Sequence, residues 1–227
     1  MSFIKSQFKR SPIKTRLIIL FGLLVVFIIL LRFSPSKQIE KRIISKTIDL
    51  NITTVTEIID GDTFRLSDST LVRLIGIDTP EKGQAFYDEA VALAESVLID
   101  KPVSLIFNKE KSDRYKRSLA YLKVDSLIFN ELVLERGLAN VYLFSENQLW
   151  REKLISAQKR ARMNNLGLWS VEKEDQEEYY IRIEGSFRFH RPLCISIKNS
   201  KPSRKIKIPD IEKTLDLGYS PCRNCRP

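Results

Sequence analysis

ITTVTEIIDGDTFRLSDSTLVRLIGIDTPE, which runs from Ile52 to Glu81, decides the fold of this chain. Short runs rich in Ile, Val, Thr and Leu alternate here with breaks rich in Asp, Gly and Ser, a pattern typical of strands joined by tight turns. Two further strands are predicted at residues 103–107 (VSLIF) and 118–124 (SLAYLKV). The sequence therefore predicts a β-meander in the first stretch and five strands in all.

Helical spacing of apolar residues interrupts and follows these strands. Residues 83–100 carry an apolar stripe with acids opposite, a second apolar-faced segment ends at Gly137, and a long basic helix is predicted from about Asn147 to Asn164. Five strands with interleaved helices fit a small OB-type barrel, although periodicity alone also allows other α+β layouts. The predicted fold class is thus mainly β with α, an OB-fold five-stranded barrel with three helices.

The charge of the chain is positive but unevenly distributed. The 227 residues carry 38 Lys and Arg against 28 Asp and Glu, yet residues 50–171 hold 16 basic and 17 acidic residues. Residues 1–49 hold ten basic residues and two acidic ones. The overall basic charge is therefore not a nucleic-acid footprint of the middle of the chain. The chain has a single His, which excludes most histidine-based chemistry. Its three Cys cannot all pair within one chain, so a framework of disulfides is not expected.

An N-terminal membrane segment accounts for much of the basic excess. Leu17–Leu31 contains no charge and lies between Arg16 and Arg32. As a helix this segment would be about 22 Å long, which is shorter than the hydrocarbon core of a bilayer, about 30 Å thick. The flanking arginines can snorkel to the headgroups and so lengthen the part that spans the bilayer. We predict that residues 1–33 are a basic leader and transmembrane anchor, and that residues 34–49 are a tether.

The predicted location is the cell membrane, with a single pass and the catalytic body on the extracytoplasmic side. An arginine directly after the apolar run, without an A-x-A-like site, favours an uncleaved anchor, while a cleaved signal peptide remains the alternative. The positive charges before and after the run are equal in number, so the positive-inside rule favours neither orientation.

Three local clusters carry possible chemistry: IDGDT at residues 59–63, RLIGIDTPE at 73–81 and DRYKR at 113–117. Each is weak when taken singly, because D-G-D is most often a turn and a strand arginine most often faces solvent. Together they bring acids and arginines to the ends of strands predicted to be neighbours, where functional sites tend to form.

With G-L-A at residues 137–139 and L-G-L-W-S at 166–170, these clusters follow one another in a recognisable order. On these motifs, residues 50–171 resemble the thermonuclease (staphylococcal nuclease-like) family. The resemblance implies an OB-fold nuclease that needs Ca²⁺ and hydrolyses phosphodiester bonds of DNA and/or RNA to 3′-phosphate products. Its expected partners are single-stranded or frayed DNA and RNA, and the lipid bilayer through residues 17–31. No obligate protein partner is inferred.

The resemblance also implies roles for individual residues. A histidine base is absent before residue 190, which leaves a carboxylate as the base, and guanidinium binds phosphate better than ammonium does. The implied calcium ligands are Asp62, Asp78 and the carbonyl of Thr79; the implied base is Glu81; the implied phosphate-binding residues are Arg73 and Arg117; and the implied nucleotide contacts are Tyr115 and Tyr142.

Two functions without catalysis remain open alternatives. OB folds also bind single strands without cutting them, so the chain could be a non-catalytic nucleic-acid-binding protein at the membrane. It could also be a surface interaction module that makes contact through its C-terminal unit.

A metal site is predicted near the C-terminus. After an acidic linker at 172–178, residues 179–227 contain every Cys and the only His, spaced H-x3-C and C-x2-C. Four such donors suit a tetrahedral Zn²⁺ with a structural role: His190, Cys194, Cys222 and Cys225. A Cys222–Cys225 disulfide, or incidental thiols, are the alternatives. The segment is similar to small zinc modules of alkylation-repair regulators, and we expect it to need the metal to fold.

Overall fold

A computed structural model describes residues 51–143, 148–171 and 177–227. The predicted anchor and tether, and most of the predicted acidic linker, lie outside these described residues. Among the helices that the structure describes, none combines the length and the apolar character that crossing a bilayer requires. Residues Asp49–Pro227 belong to one compact unit.

Five strands close into a barrel. Its strands, numbered along the chain, are β1 (Asn51–Asp60), β2 (Thr63–Leu66), β3 (Leu71–Leu74), β5 (Pro102–Ser112) and β6 (Ser118–Val124). Neighbours pair in the order β3-β2-β1-β5-β6, and a parallel β3–β6 pairing completes the ring. This closed, OB-like barrel confirms the mainly β fold with a five-stranded barrel that the sequence predicts.

Shorter elements cover the barrel and carry the remaining motifs. They are β4 (Gly76–Asp78), α1 (Tyr87–Leu98), β7 (Leu127–Ile128), α2 (Phe129–Glu135), β8 (Asn140–Tyr142) and α3 (Arg151–Met163). Two helices start later than the sequence predicts. Phe86 and Trp150, which precede α1 and α3, both have left-handed backbone conformations that a helix cannot include.

The core of the barrel is apolar and fully buried. Phe64 and Phe129 meet edge to face with ring centroids 5.8 Å apart, and Leu74, Tyr121 and Leu122 are completely inaccessible to solvent. Each such side chain stabilises the fold by about 1.5–3 kcal/mol on burial. The rigid barrel therefore supplies a fixed frame for the polar residues at its rim.

Two glycines of the recognised motifs are required by a close backbone approach. Gly137 has φ +69°, and a Cβ at this position would lie 2.1 Å from the carbonyl oxygen of Leu166. A Cβ at Gly167 would in turn collide with the Gly137 backbone. The Leu168 N–H donates to the Gly137 oxygen at 2.8 Å. The G-L-A and L-G-L-W-S motifs thus form one contact, in which neither glycine tolerates a side chain.

The C-terminal module forms a small sheet that the sequence did not predict. Its elements are β9 (Tyr180–Ile183), β10 (Arg188–His190), β11 (Lys205–Ile208), α4 (Ile211–Asp216) and β12 (Ser220–Pro221). The strand order is β11-β9-β10-β12. Its buried residues form two small clusters: Tyr180, Phe189, Ile208 and Leu215, with Trp169 packed against them, and Ile181, Cys194, Ile197 and Cys222. A core of this size stabilises the module only weakly, so a bound metal would add to its stability.

Complementary charges attach the module to the barrel. Asp216 of α4 accepts Lys159 and Arg162 of α3, each at 2.6 Å, and Arg151 donates to the Leu217 carbonyl at 2.6 Å. Phe187 also packs against the barrel core. The module is therefore held against the barrel at several points.

Candidate active site and metal cluster

Two buried aspartates form the floor of the site. Asp62 lies in the tight connection between β1 and β2, where Gly61 allows close approach: a Cβ there would lie 2.8 Å from that of Ala90. Asp62 accepts the Thr79 N–H at 3.0 Å. Asp78 ends β4, which pairs with β8 through Asn140. These backbone contacts bring two carboxylates from distant parts of the sequence to one place.

Arg73 joins the two aspartates. Its Nη2 lies 2.9 Å from Oδ2 of Asp62 and 3.3 Å from Oδ1 of Asp78. Its Nη1 donates to the Ile77 carbonyl at 3.1 Å, which fixes the guanidinium plane. The side chain is only 11% exposed. Arg73 is thus a rigid, partly buried cation at the centre of the acids.

The two aspartates have different electrostatic environments. Burial raises the pKa of Asp62 to about 7, against the attraction of Arg73, and the charge of Asp60 raises it further. Burial also opposes ionisation of Asp78, but hydrogen bonds and charges from Arg223 and Arg188 lower its pKa overall. Arginines therefore stabilise the charged form of Asp78, whereas the attraction of Arg73 does not offset the burial of Asp62.

Glu81 lies above Asp78 and is half exposed. Its backbone N–H donates to the side chain of Gln84 at 3.1 Å, which holds the start of the following loop. Its carboxylate accepts Nη1 of Arg223. The predicted base is consequently in the site, although in this state its carboxylate is paired with an arginine.

Arg117 and Tyr115 form a separate wall. The Asp113 carboxylate accepts the backbone N–H groups of Tyr115 at 2.8 Å and Arg117 at 3.0 Å, and Nε of Arg117 at 2.8 Å. Partial burial opposes ionisation of Asp113, but the hydrogen bonds from Arg117 lower its pKa. The Arg114 and Arg117 guanidiniums both lie over the Tyr115 ring, which is 64% exposed. This wall presents a cation beside an exposed aromatic face.

A cleft of about 720 Å³ connects the acids with this wall. All the residues that the sequence assigned to nuclease chemistry line this cleft except Thr79. Thr79 is buried, and its N–H donates to Asp62, which lines the cleft. Tyr142 also lines it, and the Arg188 guanidinium lies 4.1 Å from the centre of the Tyr142 ring. The cleft-lining residues of the predicted set are Asp62, Arg73, Asp78, Glu81, Tyr115, Arg117 and Tyr142.

The chemistry of this donor set fits Ca²⁺. The ion prefers carboxylate and carbonyl oxygens with several positions left for water, and the Asp62 and Asp78 carboxylates lie together beside the Thr79 backbone. A bound cation would favour the charged form of Asp62, which burial disfavours. Arg223 holds both oxygens of Asp78, so a cation could use this carboxylate fully only after Arg223 has released it.

The predicted zinc ligands meet in the C-terminal module. One donor atom from each of the four residues lies within 4.8 Å of all the others, and the cysteines are free rather than joined by disulfides. Sγ of Cys194 and Sγ of Cys222 are 3.9 Å apart. Two sulfurs bound to one tetrahedral zinc would be about 3.8 Å apart. The four residues are His190, Cys194, Cys222 and Cys225.

The surroundings of this cluster suit a metal. Nδ1 of His190 is buried and has no hydrogen-bond partner among the described residues. Burial, with the nearby charge of Arg188, lowers the pKa of His190, so that its imidazole is neutral near pH 7. Burial opposes ionisation of Cys222, but backbone N–H bonds from Cys225 and Asn224 lower its pKa overall. N–H groups that point at sulfur favour the thiolate form, which binds metals.

A closed five-stranded barrel with carboxylates and guanidiniums in one cleft defines a class of phosphodiester-cleaving hydrolases built on an OB-like fold. Residues 71–171 match the family described as staphylococcal nuclease homologue. The chain is 33% identical to thermonuclease of Staphylococcus hyicus over 125 residues, which cover 51% of this chain and 74% of that protein. Thermonuclease of Staphylococcus intermedius is 32% identical with the same coverage.

A further relative is endonuclease YncB of Bacillus subtilis (strain 168), 27% identical over 60% of this chain and 67% of that protein. An uncharacterized endonuclease of Haemophilus influenzae is 30% identical over 68% of this chain and 79% of that protein. This chain belongs to the staphylococcal nuclease homologue family, and it is a nuclease that hydrolyses phosphodiester bonds.

Sequence reasoning missed two arginines of the site. Arg188 and Arg223 both contact Asp78, although they are 110 and 145 residues away from it along the chain. Arg223 lies inside the C-x2-C motif, where it was interpreted only as spacing between zinc ligands. No local pattern marks either residue, because their position depends on how the module packs against the barrel.

Proposed function

We propose that this chain is a membrane-anchored, calcium-dependent nuclease that cleaves DNA and/or RNA to 3′-phosphate products. The single observation that carries the calcium-dependent chemistry is the convergence of Asp62, Asp78 and Glu81 with Arg73 and Arg117 in one cleft. Acids that favour a hard cation thus lie beside guanidiniums that favour a phosphate.

The residues divide the work of hydrolysis by position. Glu81 is the carboxylate nearest to solvent and serves as the base that accepts a proton from the attacking water. Arg73 and Arg117 hold the phosphate and compensate the negative charge that accumulates on its oxygens. Tyr115, with its exposed ring, stacks against the nucleotide, and Tyr142, which also lines the cleft, makes a second contact.

Asp62, Asp78 and the Thr79 carbonyl would hold Ca²⁺. When bound, this ion supplies Lewis-acid polarisation of a phosphoryl oxygen and lowers the cost of deprotonating water. The burial of both aspartates keeps bulk water from their oxygens, which strengthens the electrostatic contacts that these oxygens make.

Replacing Glu81 by glutamine tests the role of the base. We expect kcat on a single-stranded DNA oligonucleotide in Ca²⁺ to fall about 10²-fold, because the amide cannot accept the proton. Wild-type cleavage should stop when Ca²⁺ is chelated. A suitable control is Glu57→Gln, which alters an exposed acid paired with Arg65 outside the cleft. DNA that is retained without cleavage by the wild type in Ca²⁺ would contradict the proposal and favour a binding protein.

A structural Zn²⁺ in the C-terminal module is the second part of the proposal. It is supported by four converging donors, by a sulfur separation close to that of a zinc centre, and by the buried nitrogen of His190. These four residues would fill all four positions of a tetrahedral Zn²⁺, so the metal would have no open position for catalysis and would act on folding.

Anchoring in the cell membrane is the third part, with the nuclease domain on the extracytoplasmic side. It rests on the uncharged run Leu17–Leu31 between Arg16 and Arg32. We expect the full chain to stay in the membrane fraction through a high-salt wash, and a chain without residues 1–33 to be released. Release of the full chain by salt alone would mean that the basic residues bind only the membrane surface.

A further inference from the structure

The C-terminal module extends into the nuclease cleft, although the family match ends at residue 171. Arg188 on β10 donates to Oδ2 of Asp78 at 2.8 Å. Arg223 donates through Nε to the same oxygen at 2.9 Å, and through its two terminal nitrogens to Asp78 Oδ1 and to Glu81. Two guanidiniums from outside the matched region therefore contact the acids that the proposed chemistry uses.

These two arginines add two positive charges to the cleft. Among the described residues, five carboxyl groups and five guanidiniums line it, and three of the guanidiniums come from the barrel. The barrel alone thus presents a formal excess of two negative charges, which one Ca²⁺ would only neutralise. With the arginines of the module and the ion together, the cleft gains a net positive charge, which a polyanionic substrate requires.

Both arginines are held by the module itself. Arg188 donates to the Pro221 carbonyl at 2.9 Å and lies over the Tyr142 ring. Arg223 lies between Cys222 and Cys225, and the Cys222 N–H donates to the Phe189 carbonyl at 2.9 Å. Hydrogen bonds of the Cys222 backbone, to the Phe189 carbonyl and from the Arg226 N–H, therefore fix the turn that carries Arg223, while its side chain remains 39% exposed.

We propose that Arg223 is a phosphate-binding residue of this nuclease, contributed by the metal-binding module. This inference rests on the proposed calcium-dependent function. A phosphate diester presents two oxygens in the same fork geometry as a carboxylate. One guanidinium can therefore leave a carboxylate and bind a phosphate in its place. On substrate binding, Arg223 releases Glu81 and Asp78 and takes the phosphate. Arg188 is a positioning residue, which stays on Asp78.

The exchange explains two features of the cleft together. In the present state Glu81 is paired with Arg223 and both oxygens of Asp78 are occupied by it, so neither acid is fully available. Transfer of Arg223 to a phosphate frees Glu81 to accept a proton and frees one side of Asp78 for a cation. Substrate binding thereby prepares the carboxylates for their roles.

Replacing Arg223 by alanine in the full chain tests this proposal. We expect KM for single-stranded DNA to rise at least about tenfold, with a smaller change in kcat, because a charge-assisted contact is lost. The dependence of log KM on log salt should become shallower by about 0.7, as one phosphate contact is removed. Binding of a deoxynucleoside 3′,5′-bisphosphate, which has no diester bond to cleave, should weaken by a similar factor in calorimetry.

Two variants complete the experiment. Lys198→Ala removes one exposed positive charge from the same module and should leave all three measurements unchanged. Arg223→Lys keeps the charge without the fork and should give an intermediate KM. Asp78 retains Arg73 and Arg188 in both Arg223 variants, so we expect normal zinc content and an unchanged melting temperature.

Unchanged KM and bisphosphate affinity in Arg223→Ala would overturn the proposal. Faster cleavage or tighter binding by this variant would also overturn it, because Arg223 would then compete with the cation rather than bind the substrate. Wild-type chain without Ca²⁺-dependent cleavage would instead refute the proposed function. The bisphosphate measurement would still report on Arg223 in that case, so the two failures are distinguishable.

Discussion

Arg117→Ala is expected to lower kcat on single-stranded DNA about 10³-fold in saturating Ca²⁺. A guanidinium that stabilises the growing charge on a transferring phosphoryl group contributes more to the transition state than to substrate binding. Arg117 is suited to this role, because Asp113 holds its Nε at 2.8 Å while the side chain still reaches the cleft. KM should change much less than kcat.

Stability controls are favourable for this variant. Arg117 and Asp113 are 28% and 17% exposed, so loss of their pair should cost no more than about 1 kcal/mol of unfolding free energy. Arg73 would be a poorer target, because it compensates two buried carboxylates and its removal should destabilise the fold by about 3–5 kcal/mol. Arg65→Ala, which breaks an exposed pair with Glu57 on the barrel, is the matched control. Equal activity of the Arg117 and Arg65 variants would exclude Arg117 from the chemistry.

Cys222→Ser is expected to abolish metal binding and to unfold the C-terminal module. The apolar clusters of this module are small, and zinc contributes about 10–16 kcal/mol of apparent folding free energy in comparable peptides. Elemental analysis should find about one zinc per wild-type chain and none in the variant. A loss of module structure should also raise KM for DNA at least as much as Arg223→Ala does, because Arg223 is adjacent to the altered ligand.

Ile195→Ser is the matched control for this variant. It introduces serine beside Cys194 at a side chain that is 70% exposed, so the ligand set and the packing stay intact. Zinc content and melting temperature should then equal those of the wild type. Wild-type chain that holds no zinc, and that keeps its melting temperature under strong chelation, would contradict the metal assignment.

Two modules of different character thus share one active site. The barrel supplies the acids, three arginines and the aromatic wall, and is close to neutral over residues 50–171. The C-terminal module is basic and supplies Arg188 and Arg223. In this arrangement the affinity for nucleic acid and the chemistry are separable, since substitutions in the module should change KM and those in the barrel should change kcat.

Local pattern predicted the barrel well. The strand predicted at 118–124 is β6, with the same bounds, because a run of apolar and aromatic residues ends there at the turn residues Asp125 and Ser126. The motif order also predicted that Asp62, Asp78 and Glu81 would share a cleft with Arg73 and Arg117. Helix starts were predicted too early, since left-handed residues at Phe86 and Trp150 leave no clear mark in the sequence.

Contacts between modules could not be predicted in this way. The four donors of the metal cluster were found because their types and spacing carry a signal that does not depend on packing. Arg223 lies between two of them but contacts a residue 145 positions earlier, through an interface of α3 with α4 and of β8 with the module. Such a contact arises from tertiary packing alone, and only the three-dimensional structure reveals it.

The most direct measurement is a crystal structure of the chain with Ca²⁺ and a deoxynucleoside 3′,5′-bisphosphate. We expect Ca²⁺ on Asp62, Asp78 and the Thr79 carbonyl, with a phosphate between Arg73, Arg117 and Arg223. A phosphate bound elsewhere, with Arg223 still on Asp78 and Glu81, would contradict this expectation.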